Sequence, residues 1–118
     1  MIYMLMIYSR EADWTTKSEA EMAPIMSEHE RLEQDLRKAG KYRGCGGLAP
    51  TSAATTIRLG TGKPVVTDGP FAETKEQFGG YYVIDANNLD EALAFAARIP
   101  GFGNRAVEVR PVADFRVP

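Results

Sequence analysis

The chain has 118 residues, enough for one ordinary domain and too few for two. Hydrophobic residues make up 44% and charged residues 25%, close to the globular average, which excludes a disordered tail and a membrane protein. Fourteen basic against sixteen acidic side chains leave a net charge of −2 and a pI near 5.4, so nothing in the composition suits nucleic acid or an anionic membrane.

The opening Met1-Ile2-Tyr3-Met4-Leu5-Met6-Ile7-Tyr8 is apolar and then stops at Ser9-Arg10-Glu11. It lacks a basic lead and a small-residue cleavage site, and is far shorter than the roughly 20 apolar residues of a membrane helix. With a free cysteine, this leads us to expect a cytoplasmic protein. Residues 2–8 are apolar at both parities, the pattern of a strand covered on both faces. Residues 16–39 switch to helical period, with Met22, Ile25, Met26, Leu32, Leu36 and Ala39 forming one stripe. Ser18 with Glu21, or Thr16 with Glu19, supplies a capping box. Pro24 is expected to kink this helix or to open its main part, and Ala39-Gly40 to end it.

Tyr42 to Leu48 reads as a weak strand broken by glycines. Residues 55–59 and 64–67 are short β-prone runs joined by the loop Gly60-Thr61-Gly62-Lys63. That loop resembles a phosphate loop but lacks the glycine spacing, the following Ser or Thr, and the helix. Asp68-Gly69-Pro70-Phe71 is a turn, and residues 72–77 are expected to add a helical turn. Tyr81 to Asp85 is a strand, whose first two tyrosines point to opposite faces. Asn88 caps a second helix with the stripe Leu89, Ala92, Leu93, Ala96 and Ile99, ended by Pro100-Gly101, and residues 107–110 form a last strand.

The order β, α, β, β-hairpin, β, α, β predicts an α+β fold, a ferredoxin-like sandwich with an antiparallel sheet and two helices on one face. The first and last strands are the expected central pair. The face without helices is apolar in the first strand, and such patches are rarely left exposed. A symmetric homodimer packed sheet to sheet would cover it.

His29 is the only side chain whose ordinary pKa lies near neutrality, and it shares the apolar stripe with Ile25, Leu32 and Leu36. It is either a general acid/base at a cleft or a core histidine held by one hydrogen bond. Asp68 is explained by turn chemistry, and could also orient His29 or a substrate. Glu73, Lys75 and Glu76 read as a solvated charge cluster. Cys45, flanked by glycines and with no basic neighbour in sequence, reads as inert. One His and one Cys are too few for a structural zinc site, and neither metal nor cofactor is expected.

The stretch Thr67-Asp68-Gly69-Pro70-Phe71-Ala72-Glu73-Thr74-Lys75-Glu76-Gln77-Phe78-Gly79-Gly80-Tyr81-Tyr82 resembles the signature of DGPF-domain proteins, which belong to the YCII-related family. The likeness extends to the opening strand, the helix ending Lys38-Ala39-Gly40, and Val107-Glu108-Val109-Arg110-Pro111-Val112. It implies a dimeric α+β barrel. It also implies a setting in which many members are encoded beside sigma factors, and a His–Asp acid–base pair in a cleft. His29 stands at the family's histidine. The family's aspartate precedes a proline at the end of the second helix, where this chain reads Ile99-Pro100. Either Asp68 takes that role or no dyad exists. Two functions follow as expectations. One is a cofactor-free acid/base enzyme acting on a small organic molecule through His29 and Asp68. The other is a non-catalytic ligand-binding or regulatory module linked to sigma-factor-dependent transcription.

Overall fold

The computed structural model describes residues 1–116. Six strands and three helices follow in the order β1 (Ile2–Ser9), α1 (Ala12–Thr15), α2 (Glu19–Lys38), β2 (Tyr42–Gly47), β3 (Thr55–Arg58), β4 (Val65–Asp68), β5 (Gln77–Asp85), α3 (Leu89–Ala96) and β6 (Arg105–Pro111). A four-stranded antiparallel sheet has the order β2-β5-β1-β6, and β3 pairs only with β4 in a separate two-stranded sheet. The main sheet with its helices is the expected ferredoxin-like α+β arrangement.

The central pair differs from expectation. β1 lies between β5 and β6, so β1 and β5 are central and the last strand is an edge. The chain leaves β5 through α3 and returns on the far side of β1. β1 is apolar at both parities, so it presents apolar side chains to both faces of the sheet. β6 alternates Val107 and Val109, which pack on the core, with the outward Glu108.

The core lies between the helices and one face of the sheet. Tyr3 and Leu5 of β1, Tyr82 and Ile84 of β5, Leu32 and Leu36 of α2, and Ala92, Ala96 and Ile99 around α3 form one buried cluster. The register puts Leu5 beside Tyr82 and Val109, so these side chains share a face. The opposite face carries Met4, Met6, Tyr81 and Val83, all half-buried.

Local chemistry sets the helix ends. The Ser18 hydroxyl accepts from the Glu21 amide at 3.1 Å, and the Glu21 carboxylate accepts from the Ser18 amide at 3.1 Å. α2 runs through Pro24 to Lys38. It ends in a Schellman turn, with the Lys41 amide donating to the Leu36 carbonyl at 2.9 Å and Gly40 at φ 72°. Asn88 caps α3 by accepting from the Glu91 amide at 2.9 Å. Leu89 and Leu93, expected in the α3 stripe, are 49% and 47% exposed, and Phe95 packs on the core instead. With small Ala92 and Ala96 against the sheet, the helix sits close and turns its leucines outward. No helical turn forms over residues 72–76. β5 begins at Gln77 and runs through Gly79 and Gly80.

Candidate active-site cleft

The apolar stripe of α2 is longer than the core it covers. Leu32 and Leu36 are 1% and 0% exposed, whereas His29, Ile25 and Met22 are only half-buried and Met26 is 51% exposed. Beneath that upper half the sheet offers glycines. Gly47 of β2 is opposite Gly80 of β5, and Gly80 is opposite Ile7 of β1. Without side chains to fill the gap, a cleft of about 420 Å³ opens between α2 and the sheet, with Trp14 and Phe102 also on its walls. The glycines that weaken the strand pattern in the sequence are the floor of this cleft.

His29 stands in the wall of the cleft. Its Nδ1 lies 2.6 Å from the Tyr82 hydroxyl, and the two rings are stacked with centroids 5.9 Å apart. Burial lowers the His29 pKa below its ordinary 6.5, so the imidazole is neutral at neutral pH. Burial likewise pushes the Tyr82 phenol up, so it keeps its proton. His29 is the one hydrogen-bond partner of that hydroxyl among the described residues. A buried phenol proton needs an acceptor, which assigns donation from Tyr82 to Nδ1 and leaves the imidazole proton on Nε2.

One helical turn after His29, Glu33 also lines the cleft. The Tyr42 hydroxyl, and then Arg37 at 3.6 Å, hold its carboxyl below the usual carboxylate range. Cys45 lies on the same wall. Its thiol donates to Glu33 at 3.7 Å and accepts from the Tyr42 hydroxyl at 3.1 Å. These partners bring no positive charge to the sulfur. Among the described residues, no group of three or more His, Cys, Asp or Glu converges as metal ligands would.

Asp68 does not share this site. It ends β4 opposite Thr55, is exposed, and is absent from the cleft lining. Ile99, where the family resemblance places an aspartate, is 2% exposed and part of the core, so it offers the cleft no carboxylate. Sequence reasoning missed Tyr82 as the partner of His29, Glu33 in the wall, and Trp14 on a short helix that lacks a periodic pattern. The parity of Tyr82 with Ile84, and the four-residue step from His29 to Glu33, were the available signals.

The sequence matches the model of the YCII-related domain over residues 1–116. The chain belongs to the YCII-related family. An uncharacterized protein of Rhizobium meliloti (strain 1021) is 39% identical over 120 residues, covering 98% of this chain and 95% of its own. Within this YCII-related chain the histidine suggested by the resemblance does face a cleft, and the residue that holds it is a tyrosine. No helix among the described residues is long and apolar enough to cross a membrane.

Proposed function

We propose that the cleft binds a small, largely apolar organic molecule carrying a carbonyl or hydroxyl oxygen, and that His29 exchanges a proton with it without a cofactor. The observation that carries this reading is the neutral His29–Tyr82 pair set in an apolar cleft. In this reading Tyr82, not Asp68, orients the imidazole. A tyrosine hydroxyl both donates and accepts, so it can hold the ring whichever nitrogen bears the proton. With the proton on Nε2, His29 is a donor to the ligand oxygen. With it on Nδ1, Nε2 is a base.

A second reading is a ligand-binding or regulatory module without turnover. The buried Ile99, in place of a carboxylate, favours it. Both readings include a homodimer in which the half-buried Met4, Met6, Tyr81 and Val83 face a second copy, since the helices among the described residues pack on the other side of the sheet.

Trp14 is the chain's single tryptophan and lines the cleft, so its fluorescence reports binding directly. A panel of small aromatic and aliphatic carbonyl compounds is titrated while Trp14 emission and melting temperature are followed, and consumption is measured by mass spectrometry. A compound bound by the wild type should bind His29→Gln at least tenfold more weakly. It should also be excluded by Gly47→Val, because Gly47 lines the cleft and a Cβ there meets nothing within 4 Å, so the added side chain takes up cleft space. Equal binding by all three proteins refutes the assignment of the site. Binding without consumption selects the second reading.

A further inference from the structure

The hairpin β3–β4 and the loop to Glu76 stand apart from the rest of the molecule. The radius of gyration is 16.1 Å, against about 13.5 Å for a compact chain of this length. The hairpin pairs with no strand of the main sheet, and an isolated two-stranded hairpin is marginal in water. It nevertheless exposes Ile57 at 54%, Leu59 at 75%, Val65 at 54%, Val66 at 62% and Phe71 at 70%. Ile57 is opposite Val66 on one face, and Val65 is opposite Arg58 on the other, with Arg58 lying over the Phe71 ring at 5.0 Å. One face is therefore apolar at Ile57 and Val66, and the other sets Val65 beside Arg58, Thr56 and Thr67.

The root of this arm is fixed by polar contacts. The Glu11 carboxylate accepts from the Thr51 amide at 2.6 Å and from its hydroxyl at 2.9 Å. The Glu11 amide donates to the Gln77 side chain at 3.0 Å. Glu11, two residues after β1, thus ties down both the entry and the exit of the arm. A pinned root and an uncovered apolar tip describe an arm built to grip something outside its own chain.

We infer that the β3–β4 arm is a clasp that closes on a second copy of this chain. The inference rests on the homodimer proposed above and adds a second contact surface to it. Residues 55–76 carry Arg58, Lys63 and Lys75 against Asp68, Glu73 and Glu76, a balance of zero that attracts neither nucleic acid nor an anionic membrane. A second copy can meet the chain at two apolar surfaces, the exposed arm and the half-buried open sheet face, and one two-fold operation can cover both. The five arm side chains offer roughly 60–100 Å² each at the usual apolar area of a side chain. Two exchanged arms and the surfaces receiving them then bury about 1,200–2,000 Å², the range of a stable interface.

The test is sedimentation equilibrium of the full chain, of Val66→Asp in the arm, and of Met6→Glu on the sheet face, with circular dichroism melts to confirm that each folds. A dimeric wild type whose dissociation constant rises at least a hundredfold in Val66→Asp supports the clasp. If Met6→Glu dissociates the dimer and Val66→Asp leaves it intact, the clasp is overturned and the sheet-to-sheet reading stands. If Val66→Asp alone dissociates it, the clasp stands and the sheet-to-sheet reading fails. A wild type that stays monomeric at 100 micromolar, on the order of a hundred times a micromolar dimer constant, overturns both. Should Val66→Asp not fold, hydrogen exchange of the wild-type arm decides. Protection of Thr56–Arg58 that rises with protein concentration supports the clasp, and concentration-independent exchange refutes it.

Discussion

Replacing Tyr82 by Phe removes one oxygen and nothing else, so it isolates the bond to His29. The ring is 3% exposed and its packing against Leu5 and Ile84 survives the change. What is lost is a hydrogen bond between two neutral groups, worth about 0.5–1.5 kcal/mol. The half-buried Nδ1 can turn to cleft water, which keeps the loss inside that range. An unfolding entropy of about 2.1 cal/mol/K per residue gives a chain of this length ~250 cal/mol/K, so the melting temperature should fall by about 2–6 °C. Both proteins must be melted at one concentration, because association shifts the midpoint. The decisive assay is long-range nitrogen–proton NMR of the single histidine. In the wild type Nδ1 should behave as an acceptor and Nε2 as the protonated nitrogen. In Tyr82→Phe the two tautomers should mix. A wild-type spectrum with the proton on Nδ1, or an unchanged melt and spectrum in the variant, refutes the pair as described.

Further outcomes are expected. His29 should titrate below 6.5, because burial disfavours its charged form. Between that lowered value and 6.5 the unfolded chain binds more protons than the folded one, so stability rises with pH across the window and is lost as pH falls through it. His29→Gln should flatten this part of the stability profile, since the chain has one histidine. A profile as steep in His29→Gln as in the wild type would show that another group titrates there. Leu36→Ala should cost about 2–5 kcal/mol by urea unfolding, because the side chain is 0% exposed at the centre of the core. A loss under 1 kcal/mol, on the order of a surface change, would place Leu36 outside the core.

The elements were legible where periodicity and end signals agreed. The Ser18 box, the Gly40 stop and the Asn88 cap are local chemistry and stand where the residues indicate. Strand order was less so. Both β1 and β5 are rich in apolar residues, and only the return of β6 to the free edge of β1 decides which strands are central. His29 was legible as an inward-facing histidine, but its partner was sought among carboxylates. Asp68 and Tyr82 are both far from His29 in the chain, and only the register of β5 over α2 places Tyr82 beneath it. The cleft itself was legible only in reverse, as glycines interrupting strands. The arm was read correctly as a hairpin, but nothing in its alternation shows that neither face has cover in its own chain.

A tyrosine partner constrains what the cleft can do more than the histidine does. A carboxylate only accepts, so it would hold the proton on Nδ1, keep Nε2 a base and raise the pKa. Tyr82 is neutral and donates, which leaves burial unopposed and gives His29 a resting Nε2–H. That N–H can polarise a ligand oxygen. To surrender its proton outright, the imidazole would have to take another from Tyr82 on the opposite nitrogen, and burial opposes the phenolate this would leave. If the cleft is catalytic, as proposed, turnover would therefore begin from the other tautomer. Bare Nε2 would take a proton from the substrate, the resulting imidazolium would donate from Nδ1 to Tyr82, and the proton would return to a second atom of the same molecule. That sequence would be a proton shuttle, the chemistry of an isomerisation. It predicts exchange of a substrate hydrogen with deuterated solvent even where no net product accumulates, and a ligand that binds without such exchange assigns the cleft to recognition alone.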